Sequence, residues 1–175
     1  NEVEAVNAIE EIFNGKFGIA KNLLIEEFLK GEEMSYFTIN DGKVFKNFGS
    51  AQDHKRVMDG DKGANTGGMG AYSPSRLMSD ELEKKIIDKI IKPTLKALTE
   101  LGSEYKGFLY AGLMIVNNEP FLIEYNVRMG DPECQTILPK LETDLLNIFL
   151  ACCNKTLNNV DIKWLNNKSL CVVIC

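Results

Sequence analysis

The chain has 175 residues, of which 45% are apolar and 26% are charged. A length within roughly 100–200 residues allows one domain of ordinary size, and this composition excludes a disordered chain. The apolar runs are far shorter than the ~20 residues of a membrane span, and a net charge of −5 supplies no positive field that would attract nucleic acid. We therefore expect a globular domain whose partners are neither membranes nor nucleic acids. We also expect no signal peptide, because no basic segment leads into an apolar stretch.

The five cysteines predict reduced thiols. Cys152 and Cys153 are adjacent, one cysteine would stay unpaired under full oxidation, and no C-x-x-C pair occurs. These spacings do not fit a disulfide scaffold or a zinc site. The whole set is Cys134, Cys152, Cys153, Cys171 and Cys175.

An amphipathic helix opens the sequence, because apolar residues recur on one helical face. Those residues are Val3, Val6, Ile9, Ile12 and Phe13. Asn14-Gly15 predicts the end of this helix. Residues 34–39 then form a predicted strand, Asn40-Asp41-Gly42 has the composition of a hairpin turn, and residues 43–48 form the return strand.

Residues 49–74 show no periodicity, and a loop of this length is usually functional. Ser79 then caps a predicted helix whose buried face carries isoleucines from Ile86 to Ile91. Pro93 either kinks this helix or starts a second one. The loop contains six glycines, namely Gly49, Gly60, Gly63, Gly67, Gly68 and Gly70.

Residues 107–116 are nearly continuously apolar, which predicts a buried strand. Asn117-Asn118 turns the chain into a partner strand over 120–125, a helix follows over 138–153, and a strand closes the sequence over 170–175. This pattern predicts an α+β fold with a mostly antiparallel sheet flanked by helices. Because the sequence begins inside a helix and stops on a strand, we expect a piece of a larger protein.

A carboxylate, an amide and a guanidinium follow one another at the end of the partner strand. Because side chains alternate along a strand, Glu124, Asn126 and Arg128 point to one face. Carboxylate and amide oxygens are ligands that Mg²⁺ accepts, and a guanidinium can hold a carboxylate or phosphate beside the metal. The alternative interpretation is a solvated polar face with a surface ion pair.

The next residues combine Gly130 and Pro132 with the acids Asp131 and Glu133. Glycine permits a tight turn or the close approach of a ligand, and proline fixes the loop. An ordinary turn would use the same residue types. The position directly after the polar strand favours a role in the same site.

Residues 26–33 form an acidic segment before the first predicted strand. Extended backbone can offer N–H and C=O groups to the edge of a purine, apolar neighbours can cover the ring, and an acid can bind ribose hydroxyls. By pattern alone, however, an acidic strand end is more often a solvated edge.

The long loop carries a third candidate site. The cluster Asp53–Arg56 contains the only histidine of the chain, next to two cations, and residues 65–70 can present successive backbone N–H groups to an anion. The glycines fit neither a P-loop nor a dinucleotide-binding fingerprint. On pattern alone, a lone histidine in a polar loop is more often a bystander than a general base.

These three sites occur together, and in this order, in the ATP-grasp ligases. Three stretches resemble the phosphoribosylamine–glycine ligase family in particular: SAQDHKRVMDGDKGANTGGMGAYSP, GFLYAGLMIV and IEYNVRMGDPECQ. The run RMGDPE is similar to the signature of that family. The likeness extends from Ile25 to the end of the sequence, and the opening helix matches more loosely.

The resemblance implies a reaction in which ATP phosphorylates the carboxylate of glycine, after which the amine of 5-phosphoribosylamine attacks the glycyl phosphate. The products would be glycinamide ribonucleotide, ADP and phosphate, made in de novo purine biosynthesis. The resemblance also implies a cytoplasmic, monomeric parent enzyme. A carboxylate is a poor electrophile, so a phosphoryl leaving group is installed while the protein positions the reactants and neutralises charge.

The resemblance also assigns roles by position. Glu124 and Asn126 would bind Mg²⁺ or Mn²⁺ that bridges the ATP phosphates, and residues 65–70 would shape the substrate side. The nucleotide would be bound by Glu26, Glu27, Leu29 and Glu33, the last of these on the ribose. The γ-phosphate and the substrates would be faced by the cluster Asp53–Arg56, with His54, Lys55 and Arg56, and by Arg128 and Asp131.

The sequence departs from the family's pattern at one metal ligand. Gly112 stands where many ATP-grasp enzymes have a first acidic ligand, which would leave more of the metal's shell to water and phosphate. The early ATP-grasp segment with its phosphate-binding lysine and glycine-rich loop is absent. We therefore expect a partial ATP-grasp domain that is inactive alone and binds ATP weakly.

The implied domain boundaries are residues 1–28 for the end of the small lid subdomain, 29–160 for the large subdomain, and 161–175 for a linker and the first strand of a C-terminal domain. Two alternatives to this family remain open. One is another ATP-grasp ligase that activates a different carboxylate, and the other is a non-catalytic ATP-binding module.

Overall fold

The computed structural model describes residues 1–60 and 62–174. Helices α1 to α5 are Glu2–Phe13, Asp80–Ile86, Lys92–Glu100, Glu133–Ile137 and Leu145–Cys153. Strands β1 to β8 are Glu32–Asp41, Phe45–Asp53, Arg56–Met58, Lys62–Asn65, Gly70–Ser73, Lys106–Val116, Glu119–Asn126 and Ser169–Val172. A π-helical turn at Ile87–Ile91 joins α2 to α3, and 3-10 turns occupy Leu138–Lys140 and Leu157–Asn159.

A six-stranded sheet organises the molecule. Its strand order is β7-β6-β1-β2-β5-β8, and each neighbouring pair is antiparallel. Strands β3 and β4 form a separate two-stranded sheet. Side chains of α2 and α3 pack in the core on one face, and side chains of α4 and α5 pack in the core on the other. The predicted α+β class, with a mostly antiparallel sheet flanked by helices, is confirmed.

The central strand β1 is buried from Met34 to Asp41. Because side chains alternate along a strand, Tyr36 enters the core beneath α2, whereas Phe37 and Ile39 enter the core beneath α4 and α5. Burying one such large apolar side chain stabilises the fold by roughly 1.5–3 kcal/mol. Strand β1 thus fixes the position of both helical layers.

The buried carboxylate of Asp41 holds the end of β1. It accepts hydrogen bonds from the backbone N–H groups of Lys43 and Val44, each at 2.8 Å, and of Leu157 at 3.1 Å. Burial would raise the pKa of Asp41, but these hydrogen bonds keep the pKa below its ordinary value. The carboxylate therefore ties the β1–β2 turn to a segment 116 residues later in the chain.

Several predicted elements are confirmed. The opening helix ends at Phe13 and is capped by Asn14, and Ser79 caps α2 by accepting a hydrogen bond from the N–H of Leu82. The buried strand and its partner are β6 and β7. Pro93 lies in the first turn of α3, directly after the π-helical turn, so the helical backbone changes its winding before Pro93 and continues into α3 without a break.

The predicted loop over residues 49–74 is wrong. Strand β2 begins at Phe45 and continues to Asp53, and β3, β4 and β5 follow within the same stretch. These strands are short, contain glycine and are partly exposed, so they lack the apolar alternation that marks a strand. The predicted helix over 138–153 begins only at Leu145, because Asp144 caps α5 and a 3-10 turn precedes it.

The closing strand is confirmed over Ser169–Val172, where β8 pairs with β5 at the edge of the sheet. Cys175 lies outside the described residues, and the assignment of 161–175 to a further domain stays a prediction. The described cysteines, Cys134, Cys152, Cys153 and Cys171, have free thiols as predicted. Within residues 1–60 and 62–174, no helix has the length and apolar character needed to cross a membrane.

Candidate active site

Three cavities that share lining residues lie on the α4–α5 face of the sheet. The strand cavity, of about 200 Å³, is lined by residues that include Ser35, Gly112 and Glu124. The cationic cavity, of about 330 Å³, is lined by residues that include His54, Lys55, Arg56 and Asn65. The turn cavity, of about 90 Å³, is lined by residues that include Gly67, Asn126, Arg128 and Asp131. Asp53 lines all three, so they form one branched cleft.

A further cavity of about 230 Å³ lies elsewhere, between α3 and the β1–β2 turn. Its lining includes Lys43, Phe45, Lys96 and Tyr105, and none of its described lining residues is acidic. It therefore offers no carboxylate oxygen to a metal ion. The branched cleft is the better candidate for chemistry with metal and phosphate.

Strand β7 presents the predicted metal pair to the cleft. Leu122 pairs with Leu113 and Glu124 pairs with Gly112, so Ile123 is an extra residue at a β-bulge. The Nδ2 of Asn126 donates a hydrogen bond to Oε1 of Glu124 at 3.1 Å. Both side chains line the turn cavity, so the structure brings the pair together as strand alternation predicts.

The oxygens of this pair fit a hard divalent cation, because Mg²⁺ accepts one or two protein oxygens and completes its shell with water and phosphate. Gly112 lies opposite Glu124, and a Cβ built at Gly112 would be 3.4 Å from Cγ of Glu124. Among the residues that the structure describes, no three acidic, histidine or cysteine side chains group closely enough to hold a metal ion. Glu124 and Asn126 as metal ligands therefore stay a prediction, and Gly112 on β6 offers no side-chain oxygen opposite Glu124.

The turn after β7 places two more predicted residues in the same cavity. Nη1 of Arg128 donates a hydrogen bond to the carbonyl of Met129 at 2.9 Å, and Asp131 accepts one from Nε2 of Gln135 at 2.7 Å. Arg128 is exposed, so most of its guanidinium donors can reach an anion in the cleft.

A buried polar network supports this turn, and sequence reasoning missed it. The carboxylate of Glu133, 2% exposed, accepts hydrogen bonds at 2.8 Å from the hydroxyls of Ser35 and Tyr110. Burial, and then the nearby Glu133 carboxylate, raise the pKa of Tyr110 far above its ordinary value. Ser35 and Tyr110 interrupt apolar strands, which is the signal that could have identified them. Their meeting with Glu133 required the fold.

Two glycines permit the close packing around this network. A Cβ at Gly130 would lie 2.2 Å from Oε2 of Glu133, so a side chain there would displace the buried carboxylate. A Cβ at Gly68 would lie 2.6 Å from Cδ of Pro132 and 3.0 Å from Oδ1 of Asp53. The segment 65–70 therefore lies directly against the turn that follows β7.

Asp53 ends β2 at the centre of the cleft. Its Oδ1 is buried and has no hydrogen-bond partner among the described residues. Burial, and then the like charge of Glu133, raise the pKa of Asp53 to about 6, against an opposing effect of Lys55. This carboxylate thus lies in an environment that disfavours its charge.

The predicted cationic residues lie on the other side of Asp53. Nζ of Lys55 forms an ion pair with Glu33 at 2.9 Å, and Nη1 of Arg56 donates a hydrogen bond to the carbonyl of Gly63 at 2.7 Å. Burial lowers the pKa of Lys55, but the hydrogen bond to Glu33 and the charges of the surrounding carboxylates together outweigh it and raise the pKa overall. The ring of His54 stacks on Tyr72 with centroids 5.8 Å apart.

The structure does not bring the whole predicted nucleotide segment to the cleft. Glu33 lines both the strand cavity and the cationic cavity. Glu26 and Glu27 are exposed and Leu29 is half-exposed, and none of them lines the three cavities. Their role at the adenine stays a prediction.

An antiparallel sheet flanked by helices, with a polar strand that faces cations across a cleft, is the arrangement of an ATP-grasp domain. A family model described as "Phosphoribosylglycinamide synthetase, ATP-grasp (A) domain" matches residues 1–134. The chain belongs to this family, as the resemblance in its sequence implied.

Known relatives support the same assignment. A phosphoribosylamine–glycine ligase of Brucella melitensis is 47% identical over 172 residues, which is 98% of this chain and 40% of that protein. The crystal structure of a phosphoribosylamine–glycine ligase from Thermotoga maritima superimposes with a TM-score of 0.84 at 31% identity, over 98% of this chain and 44% of that one.

A more distant structure shares the fold alone. It is the biotin carboxylase domain of a Hydrogenobacter thermophilus 2-oxoglutarate carboxylase, in complex with MgADP and bicarbonate. Its TM-score is 0.65 at 18% identity, over 97% of this chain and 36% of that one. The chain thus spans less than half the length of each of these three proteins.

Proposed function

We propose that the chain is the ATP-binding part of a ligase that joins glycine to 5-phosphoribosylamine through a glycyl phosphate. The products are glycinamide ribonucleotide, ADP and phosphate. One observation carries the proposal: Glu124, Asn126 and Arg128 meet in one cavity, within a cleft that also holds Lys55. The names of the relatives supply the substrates, and the cleft supplies the groups that their chemistry requires.

Glu124 and Asn126 hold the divalent cation, Mg²⁺ or Mn²⁺. When bound, this metal ion neutralises negative charge on the phosphates of ATP. The small number of protein oxygens suits an ion that keeps water and phosphate in its shell. Glu26, Glu27 and Leu29 line the adenine and Glu33 binds the ribose in this proposal.

The remaining residues bind and orient the reactants. Arg128 can hold a carboxylate or phosphate with paired N–H donors, and Lys55 and Arg56 supply positive charge on the other side of Asp53. His54 and Asp131 face the substrates. Because the protein itself does little covalent chemistry, the positioning of the reactants and the stabilisation of developing charge account for most of the rate acceleration.

The domain boundaries form part of the proposal. Residues 1–28 belong to the small lid subdomain, 29–160 to the large subdomain, and 161–175 to a linker and the start of a further domain. No side chain in residues 1–31 is buried, which supports a separate role for this segment. A cytoplasmic location and a monomeric parent remain predictions.

The test measures phosphate release by the full-length protein that carries this sequence, with ATP, glycine and 5-phosphoribosylamine. Release should require both substrates. Glu124→Ala should lower the rate on the order of 100-fold, because charge on the transferring phosphoryl group loses its stabilisation.

Glu119→Ala is the matched control. Glu119 lies on the same strand but forms ion pairs with Lys85 at 2.7 Å and Lys89 at 2.6 Å, on the α2 side. Its replacement should leave the rate within about twofold, as for a surface ion pair. Full activity of Glu124→Ala would remove the metal assignment, and brisk turnover by the 175-residue chain alone would refute its expected inactivity.

A further inference from the structure

The cavity between α3 and the β1–β2 turn, which we name the lysine cavity, lies outside the branched cleft. Its volume is about 230 Å³, and it shares no lining residue with the three cavities of the cleft. The residues that surround it belong to the α2–α3 side of the sheet. The proposed reaction gives these residues no role, so the cavity calls for an explanation of its own.

The lysine cavity combines aromatic rings with ammonium groups. Phe45 and Tyr105 line it and pack, partly buried, against the core of the α2–α3 side. Lys43 reaches the cavity from the β1–β2 turn, whereas Lys92 and Lys96 reach it from α3, where a spacing of four residues puts them on one helical face. Positive charge therefore comes to the cavity from two separate elements.

This positive charge is only partly neutralised within the protein. None of the described residues that line the cavity is acidic. Asp88 is paired with Lys92 at 2.7 Å, but Glu100 lies 3.7 Å from Lys96, and such a contact between exposed groups is weak. Lys43 forms no ion pair within 4.0 Å among the described residues. The ammonium groups of Lys43 and Lys96 thus keep N–H donors that can bind an anion.

The other polar side chains of the lining already have partners in the protein. Asn40, Thr99 and Tyr105 each donate a hydrogen bond to a backbone carbonyl. The lysines and the rings are therefore what a ligand meets, and they suit a negative group attached to a flat apolar body. A cavity below roughly 300 Å³ also favours a molecule smaller than a drug-sized ligand.

We infer that the lysine cavity is a second ligand site, which binds a small aromatic anion. Lys43 and Lys96 bind its anionic group, and the rings of Phe45 and Tyr105 contact its aromatic ring. The site goes beyond the proposed function and does not depend on it, because the cavity shares no residue with the cleft. No covalent step takes place there.

Isothermal titration of phenyl phosphate into the full-length protein that carries this sequence tests the inference. Phenyl phosphate should bind about tenfold more tightly than either inorganic phosphate or phenol, because only phenyl phosphate meets both the lysines and the rings. The double variant Lys43→Gln/Lys96→Gln should weaken its binding about 10- to 100-fold, since charge-assisted hydrogen bonds are lost. Both lysines are exposed, so the unfolding temperature should not change.

Lys55→Gln/Arg56→Gln is the charge-matched control, because it removes two cations from the cleft instead. It should leave the affinity for phenyl phosphate within about twofold, at the level of a distant surface change. Equal affinities for phenyl phosphate and inorganic phosphate, or an equal loss of binding in the two double variants, overturn the inference. A failure of the proposed function would be seen separately, as phosphate release that does not require glycine, and would leave this titration unchanged.

Discussion

One end of the central strand β1 packs into the apolar core, whereas the other end lies beside the polar cleft. At one end, Phe37 and Ile39 are at most 1% exposed in an apolar core, and the Asp41 carboxylate is fully hydrogen-bonded. At the other end, Ser35 contacts the buried Glu133, close to the unpartnered Asp53. The first end stabilises the sheet, and the second lies beside a carboxylate whose charge is disfavoured by burial, at a cost in stability.

The largest effect should come from the apolar end. Ile39→Ala removes a side chain that is 1% exposed and should lower the free energy of unfolding by about 2–5 kcal/mol. Urea denaturation of this chain measures the change. Val3→Ala, at a side chain 69% exposed in α1, is the control and should change it by less than about 0.5 kcal/mol. A loss below about 1 kcal/mol at Ile39 would contradict the difference between the two ends.

The next effect tests the hydrogen bonds of Asp41. In Asp41→Asn one oxygen can still accept from Lys43 and Val44, but the new NH₂ group faces the N–H of Leu157. The buried donor loses its acceptor, which should cost about 1–3 kcal/mol. Because the folded pKa of Asp41 is lowered, its contribution is present above the unfolded pKa, about 3.9, and is lost as pH falls through the folded pKa.

Denaturation at several pH values measures this dependence. The difference between the unaltered chain and Asp41→Asn should be constant above about pH 5 and shrink on further acidification. A difference that does not change with pH would show that the hydrogen bonds do not act through the charged carboxylate.

Local sequence patterns were sufficient to predict the parts of the fold and of the site that lie within single elements. Strand alternation put Glu124, Asn126 and Arg128 on one face, and turn composition located the hairpins after β1 and β6. The strands within residues 49–74 were missed because they contain glycine and lack apolar alternation. β3 pairs locally with β4, and β5 lies between β2 and β8, of which β8 is distant in sequence. Short strands that contain glycine do not show the apolar alternation from which a strand is predicted.

The buried network shows a second limit of sequence reasoning. Ser35 and Glu133 are 98 residues apart, and each alone fits an ordinary strand or turn. The cluster that contains Asp53 was predicted to face the substrates, but the burial of its Oδ1 depends on Gly68, at which a Cβ would lie 3.0 Å from that oxygen. Contact across the sheet, rather than residue type, creates both features.

The smallest expected effect has the opposite sign and lies at the cleft end. Asp53→Asn replaces a carboxylate whose pKa is raised to about 6 by burial and by Glu133, so it should increase the free energy of unfolding by about 1 kcal/mol at pH 8. The unaltered chain loses stability as pH rises from the unfolded pKa, about 3.9, through the folded one. The advantage of Asp53→Asn should therefore be absent below about pH 4 and complete above about pH 7.

Denaturation of both variants under the same conditions completes the comparison, because one substitution, Asp to Asn, is made near each end of β1. At Asp41 it should destabilise the chain, since hydrogen bonds favour the charged group there. At Asp53 it should stabilise the chain, since burial and the like charge of Glu133 outweigh the opposing effect of Lys55. A loss of stability at Asp53 would mean that its carboxylate supports the fold, which would contradict the difference between the two ends of β1.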